Sequence, residues 1–440
     1  MSTKFSQDGG KQMIKKIFSG LIPPSYRKEP QVLITIVKWG LIGLLLRFIF
    51  MPVATHSDLI SIYGRAFYMM GQGQFLGMIG LLVHYFHIIF LAILKPFMPY
   101  SSEIWQWTSR VLGADERIWM IFVIHPNTYR TLFLLKLPYL LFDGLCALLL
   151  LHLFKDQKKG LRAFKFWMIN PVGIFALYIF GRFEVIPVFF ILLSLYYVKK
   201  RKNILAALLL GISMATKFYA LLFLLPFVFV VGKKTGERVK LLFSGLVPLL
   251  IMQIANMLGG VRSEVGGLAK SLFADYLLAM RFKLPFVHDT VFIFVVGYVL
   301  ILIYVYYNSK FSFASVYKYM GVILLLLFAT SFFHPHYFMW LSPFIAMQIA
   351  EDKKFIGLYT IQVLCLVVYS FQWDRALAGY LFAPISKLYF TNVMSPFTFI
   401  SQFYPGEKLV GIFRSIFTAV SFWMIYQVFK SLSLRKSEIK

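Results

Sequence analysis

Residues 166–198 read FWMINPVGIFALYIFGRFEVIPVFFILLSLYYV, two apolar stretches separated by the charged turn of residues 181–184. Neither stretch contains a charged side chain. Each of them, extended into its flanking residues, is long enough to cross the roughly 30 Å hydrocarbon core of a bilayer. Stretches of the same kind recur along the chain, and this pattern predicts an all-α, polytopic membrane protein.

The composition of the whole chain points to the same class. Of its 440 residues, 59% are hydrophobic and only 14% are charged, and the mean hydropathy is +0.74. Soluble domains are about 45–50% apolar and about 25% charged. The composition therefore excludes soluble globular, fibrous and disordered proteins. In a membrane protein, the net charge of +27 indicates cytoplasmic loops and anionic membrane lipids, not nucleic acid.

About twelve transmembrane helices are predicted from the apolar stretches. They cover residues 32–54, 131–154, 166–180, 185–198, 204–215, 220–231, 241–259, 291–307, 319–333, 338–350, 355–371 and 409–428. If the N-terminus is cytoplasmic, more than half of the 45 Lys and Arg residues fall in the short inner segments. Because positive residues collect on the cytoplasmic side, we expect both termini to be cytoplasmic.

The predicted organisation has three parts. Residues 1–31 form a basic cytoplasmic segment, residues 32–428 the transmembrane domain and residues 429–440 a basic cytoplasmic tail. The first outer loop, residues 55–130, contains interfacial helices. Its apolar stretch at residues 76–97 is expected to lie in the interface or to re-enter, because one more crossing would reverse the charge bias.

Ionisable residues at the outer ends of the spans are the candidate functional residues. Charged groups at this depth are unfavourable unless they are paired or face a wet cavity. The candidates are Asp58, Arg65, Arg182, Glu184, Lys217, His334, His336 and Tyr337. Asp58 follows the first span, where it is either a general base or the N-cap of a helix starting near Leu59.

The other candidates also have two interpretations each. Asp143, on one helical face with Lys136, either lines the site or makes a buried contact with a neighbouring helix. Arg182 and Glu184 either bind a hydroxyl-rich substrate and its phosphate or form an ion pair on an exposed turn. Lys217 either neutralises an anionic headgroup or extends its amine to the interface.

The string FFHPHYFMWLSP, residues 332–343, contains His334, His336 and Tyr337. These side chains are expected to donate hydrogen bonds to a phosphate or sugar, or else to pack at the interface. A zinc site would need a third ligand, and none is near in the sequence. Phosphate-binding glycine loops, dinucleotide fingerprints and G-x-S-x-G motifs are absent from the sequence. Trp105 and Trp107 offer aromatic faces for a sugar ring or for membrane anchoring.

Four strings together carry a family resemblance. They are LKLPYLLFDGL (135–145), the stretch quoted above, GISMATKFYALLFLLPF (211–227) and HPHYFMWLSPF (334–344). In this order they resemble the membrane-embedded glycosyltransferases of the GT-C superfamily. The similarity is closest to polyprenyl-phosphate-mannose-type transferases and to the catalytic subunit of the first mannosyltransferase of glycolipid-anchor synthesis.

The resemblance implies a function and a site. Asp58 occupies the place of the family's catalytic acid in the first outer loop, although the second acid of an acid-x-acid pair is missing. Residues 181–184 match a turn that commonly reads Gly-Gln-Phe-Asp, and HPHYF matches a turn that often reads His-Pro-Gln-Tyr. The Asp143 string matches a recurrent lysine-proline-aspartate helix.

The activity implied is inverting transfer of a mannose-like sugar from a polyprenyl-phosphate donor to a lipid, glycan or protein acceptor, on the extracytoplasmic or lumenal face. Residues 32–428 would be the glycosyltransferase domain, in a plasma membrane or endoplasmic reticulum. Asp58 would be the base. The leaving phosphate would contact some of Lys217, Arg182, His334, His336 and Arg65. No cofactor is expected, while a divalent metal and an accessory subunit stay open.

Two rival classes remain as alternatives. A transporter or lipid-linked-sugar flippase should show ionisable residues and broken helices near the middle of the membrane, with related halves. A polysaccharide polymerase or ligase would depend on arginines in a large outer loop, where Arg262 and Arg281 are candidates.

Overall fold

The computed structural model describes residues 22–72, 82–108, 116–258, 272–283, 289–308 and 311–437. It is 83% helical, and six of its helices are long and apolar enough to cross a membrane. The chain is therefore an all-α membrane protein, as the apolar stretches predicted. Most of the predicted basic N-terminal segment, part of the stretch at residues 76–97 and Arg262 lie outside the described residues.

The helices of eight or more residues in the described ranges are numbered in chain order. They are α1 (Pro30–Phe50), α2 (Ser57–Gln72), α3 (Leu82–Leu94), α4 (Ser101–Thr108), α5 (Glu116–Val123), α6 (Thr128–Leu153), α7 (Gln157–Ile169), α8 (Val185–Lys199), α9 (Asn203–Thr216), α10 (Leu224–Val231), α11 (Thr235–Leu258), α12 (Ile293–Asn308), α13 (Phe313–Thr330), α14 (Ser342–Glu351), α15 (Lys354–Ser370) and α16 (Gly406–Ser437).

Shorter elements connect these helices. The 3₁₀-helices Phe218–Phe223 and Pro335–Leu341 precede α10 and α14, and a π-helix occupies Phe175–Ile179. Strands β1 (Arg281–Lys283) and β2 (Thr290–Phe292) form an antiparallel pair that the sequence did not predict. Arg281 is exposed on this pair.

The buried share of each helix distinguishes a central helix from helices at the lipid surface. In α13, 94% of the apolar window is buried inside the protein, whereas α1 buries only 22% of its window. The exposed face of α1 carries Ile34, Leu41 and Leu45. A helix that is apolar on all sides is suited either to a protein core or to lipid, so α13 forms the centre and α1 the rim.

Lys136 ties the end of α1 to the π-helix. Its Nζ donates to the backbone oxygens of Met51 (2.9 Å), Tyr178 (2.8 Å) and Ala54. Buried carbonyl groups at helix ends need such partners, because no water reaches them. This contact holds the chain that leaves α1 against the segment that leads to residue 181.

Asp143 belongs to a buried network between helices. Its carboxylate accepts hydrogen bonds from Arg47 Nε (2.5 Å), Trp167 Nε1 (2.7 Å) and the Tyr178 hydroxyl (2.6 Å). Both carboxylate oxygens are thus used within the protein, and the side chain is 2% exposed. The structure therefore shows Asp143 in buried contacts with neighbouring helices, as the second of its two interpretations predicts.

The stretch predicted to lie in the interface contains α3, a 13-residue helix. His84 and His87 on this helix are buried, and His87 Nε2 lies 2.7 Å from the Tyr139 hydroxyl. Trp105 on α4 is also fully buried, so its ring is not available to stack on a sugar. The Trp107 side chain lies outside the described residues.

Candidate active site

Asp58 lies in the first turn of α2, one residue after the helix begins, and not at the N-cap position predicted as one alternative. Its side chain is 31% exposed. One carboxylate oxygen is 3.6 Å from His56 Nδ1 and the other is 3.5 Å from Arg182 Nη1. Burial alone would raise the pKa of Asp58, but Arg182 and His56 outweigh it and hold this pKa well below its usual range.

Gly181 makes the turn that brings Arg182 to Asp58. Its φ is +86°, a left-handed conformation that glycine adopts without steric strain. A Cβ at this position would lie 3.2 Å from Leu59 and 3.3 Å from Thr55 Oγ1. The His56 amide also donates to the Phe180 carbonyl oxygen (2.8 Å). The turn is thus pressed against the start of α2.

We expect Gly181→Ala to lower the free energy of unfolding by about 1–2 kcal/mol, because alanine is strained at this φ and its Cβ crowds Leu59. Thermal unfolding in detergent measures the change. Gly40→Ala is the matched control, because a Cβ there meets nothing within 4 Å, and it should not destabilise the protein. Equal stability of the two variants would show that residue 181 is not constrained.

Arg182 pairs with Asp58 and is also influenced by the charge of Glu184. Its guanidinium also lies 4.9 Å from the centre of the Phe183 ring. Burial lowers the pKa of Arg182, but Asp58 and then Glu184 raise it by more, so the group stays charged. Its Nε has no hydrogen-bond partner among the described residues. Arg182 therefore keeps a donor for a further acceptor.

Glu184 is fully buried and pairs with Lys217, not with Arg182 as the exposed-turn interpretation supposed. Lys217 Nζ is 2.5 Å from Glu184 Oε1, and Trp340 Nε1 donates to Oε2 at 2.5 Å. Arg182 and Glu184 are two positions apart on a turn that is folded back at Gly181, and Arg182 is directed to Asp58 instead. The interpretation as an ion pair on an exposed turn was therefore wrong.

Lys217 follows α9 and lies in a cage of aromatic rings. Its Nζ is 4.4 Å from the centre of the Tyr337 ring, 4.9 Å from Phe183 and 5.2 Å from Trp340. Burial lowers the pKa of Lys217 to about 8, although Glu184 partly offsets this effect. The amine is thus held inside the protein. The interpretation that it extends to the interface was wrong.

His336 belongs to a stack of rings. Its imidazole lies 4.3 Å from the Phe180 ring centre, and the His56 ring lies 4.2 Å from the same centre. Burial, followed by Arg182 and Lys217, lowers the pKa of His336 well below its ordinary value, so the ring is neutral. Neither ring nitrogen has a hydrogen-bond partner within the described ranges.

His334 and Tyr337 flank His336 in the sequence; His334 immediately precedes the 3₁₀-helix Pro335–Leu341, and Tyr337 lies on it. The ring of His334 is 5.8 Å from that of His336, and the Tyr337 ring is 4.4 Å from it. Burial and the charge of Arg182 also lower the pKa of His334, although Asp58 opposes them. Pro335 sets the first turn of this helix, and its φ suits that position.

The structure brings seven of the nine predicted site residues together. We call this set the polar cluster: Asp58, Arg182, Glu184, Lys217, His334, His336 and Tyr337. Asp143 is in the separate network described above. Arg65 lies two helical turns after Asp58 on the same face of α2, close enough to His84 for their charges to interact.

Sequence reasoning missed three contributors to the polar cluster: His56, Phe183 and Trp340. Trp340 lies one helical turn after His336 and Tyr337, a spacing that could have indicated it. His56 is two residues before Asp58, and its role depends on the backbone bond to Phe180. Across the described part of the chain, no group of three or more His, Cys, Asp or Glu residues is placed to hold a metal ion.

The polar cluster combines a partly exposed carboxylate, two partly buried cations, neutral imidazoles and an aromatic wall. Such a set can accept a proton, bind an anion and pack against a ring. A comparison of the chain with protein-family models, curated proteins and solved structures found no match. The resemblance to the GT-C superfamily therefore rests on the four sequence strings alone and stays an expectation.

Proposed function

We propose that the chain is an integral-membrane glycosyltransferase that moves a sugar, with mannose favoured, from a polyprenyl-phosphate donor to a lipid, glycan or protein acceptor. One observation carries this proposal. Asp58, a carboxylate that reaches solvent, lies 3.5 Å from Arg182 and in the same cluster as the partly buried Lys217. A proton acceptor beside cations suited to a phosphate fits a reaction between a hydroxyl group and a phosphate-linked sugar.

The proposed topology has twelve crossings, with both termini in the cytoplasm and the polar cluster on the outer or lumenal side. Helical structure covers most of each of the twelve predicted apolar stretches. The cluster residues follow α1, precede α8, follow α9 and precede α14. With a cytoplasmic N-terminus, all four of these helix ends lie on the outer side.

The donor phosphate would bind between Arg182 and Lys217. Arg182 Nε has no hydrogen-bond partner in the described part of the chain, and the ring of His336 lies close enough to both cations to be influenced by their charges. A polyprenyl phosphate linked to a sugar carries one negative charge, and cations in a partly buried site bind such a charge more strongly than they would in water. The aromatic rings around Lys217 would exclude water from the phosphate.

In the transfer step, Asp58 takes the proton of an acceptor hydroxyl group. The acceptor oxygen then attacks the anomeric carbon from the face opposite the phosphate. A new glycosidic bond forms, the bond from the anomeric carbon to the phosphate oxygen breaks, and polyprenyl phosphate leaves with the electron pair. This displacement inverts the anomeric configuration. Arg182 and Lys217 stabilise the charge of the leaving phosphate.

Arg182 has a second effect, on the basicity of Asp58. In the protein alone, Arg182 contributes most to lowering the pKa of Asp58, and such a carboxylate is a weak base. A donor phosphate competes with Asp58 for the guanidinium. Binding of the donor would thus weaken the contact between Arg182 and Asp58 and raise the pKa of the base when the sugar is in place.

We expect Arg182→Gln to move the acidic limb of the kcat/KM profile to higher pH, because the charge that holds the pKa of Asp58 down is removed. The variant should also have a raised KM for the donor. Initial rates of sugar transfer between pH 4 and pH 9 measure both effects. If Arg182→Gln, like the wild type, shows no acidic limb above pH 4, Arg182 does not control the base.

A basic limb is expected near pH 8. Burial lowers the pKa of Lys217 to about 8, so the cation that binds phosphate is lost as the pH rises through this value. Above it, kcat/KM for the donor should fall about tenfold per pH unit. A phosphodiester does not titrate in this range. In Lys217→Arg the fall should disappear, because arginine stays charged; a fall that persists in this variant would have another cause.

The experiment that tests the proposed function uses purified protein in nanodiscs with membrane lipid extract. Radiolabelled polyprenyl-phosphate sugars are added, mannose first, and transfer of label to an acceptor is measured. Transfer supports the glycosyltransferase. If no sugar is transferred but protein in liposomes moves the carrier across the bilayer, the chain is a flippase instead. If label enters only long glycan chains, the polymerase or ligase alternative is correct.

A further inference from the structure

Two adjoining cavities, of about 580 and 590 Å³, lie at the helix ends opposite the polar cluster. The polar cluster is at the start of α8 and the end of α9, whereas both cavities include Arg201, between the end of α8 and the start of α9. Phe311, before α13, also lines both. The cavities therefore face the other leaflet of the membrane.

The lining of these cavities has an excess of cations. The first cavity has Arg201, Lys202, Lys233 and Lys240, and the second adds Lys155, Lys159 and Lys199. Within the described ranges, none of these side chains forms an ion pair. Crowding of like charges is unfavourable unless an anion compensates it.

Three carboxylates line the two cavities, and each of them has a partner within the protein. Glu237 accepts from the Lys233 amide at 2.9 Å, and Asp156 accepts from the Lys158 amide at 2.8 Å. Glu351 is 2.8 Å from Lys318 Nζ. Glu237 also interacts with the charge of Lys233. The described lining of the two cavities nevertheless holds seven cations against three carboxylates, so an excess of positive charge remains.

Arg201 is fixed at the boundary of the two cavities. Its φ is +60°, which is uncommon for a residue other than glycine. Its guanidinium lies 4.2 Å from the centre of the Phe311 ring, and its amide donates to the Val198 oxygen. Stacking on Phe311 leaves the guanidinium edge free to contact a phosphate.

The first cavity also has an apolar part that opens to the outside of the helix bundle. Ile204 and Leu205 are 54% and 37% exposed, and Val231 and Leu241 continue the apolar lining. A free phosphate would gain nothing from these side chains, whereas an acyl chain would cover them. Cations beside an exposed apolar surface at a membrane boundary match an anionic phospholipid.

We propose that the first cavity binds an anionic phospholipid, with the lipid phosphate contacting Arg201, Lys202 and Lys240 and the acyl chain lying along Ile204 and Leu205. The bound lipid joins the starts of α9 and α11, which both border this cavity. This site is separate from the polar cluster and does not depend on the proposed transferase function.

The test is native mass spectrometry and thermal unfolding of the purified protein in detergent. Phosphatidylglycerol, phosphatidylcholine with the same acyl chains and inorganic phosphate are added separately. We expect phosphatidylglycerol to be retained and to raise the unfolding temperature, and the other two to do neither. The double variant Arg201→Gln/Lys240→Gln should bind phosphatidylglycerol about fivefold more weakly for each cation removed.

The control is Lys353→Gln/Lys354→Gln, which removes two cations at the start of α15 that line neither cavity. It should bind like the wild type. Should Arg201→Gln unfold the protein, Arg201→Gly removes the same guanidinium and suits the positive φ. Equal losses in control and cavity variants, or equal retention of phosphatidylcholine, would overturn the proposal. Stabilisation by inorganic phosphate alone would replace the lipid with a small anion.

Discussion

Asp58→Asn is expected to reduce the rate of sugar transfer by about 10²–10⁴, the usual effect of removing a positioned general base. Asparagine has nearly the same shape but cannot accept the proton of the acceptor hydroxyl. The contacts of Asp58 with His56 and Arg182 are long, at 3.6 and 3.5 Å. The side chain is also partly exposed, so the substitution should leave the fold intact.

The rate is measured in nanodiscs with the donor that supports transfer by the wild type, and Asp58→Ala should show a similar loss. Asp352→Asn is the control, since Asp352 is an exposed carboxylate that accepts from the Lys354 amide at the end of α14 opposite the cluster. The Asp352→Asn variant should transfer sugar at the wild-type rate. If Asp58→Asn transfers sugar as fast as this control, Asp58 is not the base.

Glu184→Gln is expected to lower the free energy of unfolding by about 3 kcal/mol. Removing one partner of a buried ion pair leaves the other charge without compensation, and this typically costs about 3–5 kcal/mol. Glu184 is fully buried, whereas Lys217 is 13% exposed, which places the effect at the lower end of that range. Sugar transfer should also be lost, because Lys217 would no longer be held in the aromatic cage.

A second substitution distinguishes the charge effect from a packing effect. In Glu184→Gln/Lys217→Met no charge is left unpaired, so much of the lost stability should return while transfer stays absent. Denaturant titration in mixed micelles measures the stability of the single and the double variant. Glu103→Gln, at the exposed pair with His125, is the matched control and should change stability by less than about 1 kcal/mol. If Glu184→Gln is no more harmful than this control, the buried pair is not stabilising.

The helices were predictable because their residues are apolar over nearly their whole length. The stretch at residues 185–198 corresponds to α8, Val185–Lys199, and its boundaries follow from the charged residues on each side. The helix ends that carry the polar cluster were predictable for the same reason. Ionisable residues such as Glu184 and Lys217 are rare in so apolar a chain, and they mark the places where helices stop.

The pairing within the polar cluster was not predictable from the sequence. Arg182 and Glu184 are neighbours in sequence, yet each pairs with a residue from another segment, Asp58 and Lys217. The positive φ of Gly181 and the π-helix before it determine which partners the two side chains reach, and neither feature has a clear pattern in the sequence. The partners of Asp143 were not predictable either. In the sequence, an acid within an apolar helix resembles a site residue, and only the structure shows that it binds Arg47.

The most direct test of the central claim is a structure of the protein with a non-transferable donor, a polyprenyl phosphonate linked through carbon to the sugar. The phosphonate should lie within hydrogen-bond distance of Arg182 and Lys217, with the anomeric carbon facing Asp58 and the contact between Arg182 and Asp58 lengthened. A donor bound elsewhere, with Arg182 still 3.5 Å from Asp58, would contradict the assignment of the polar cluster as the active site.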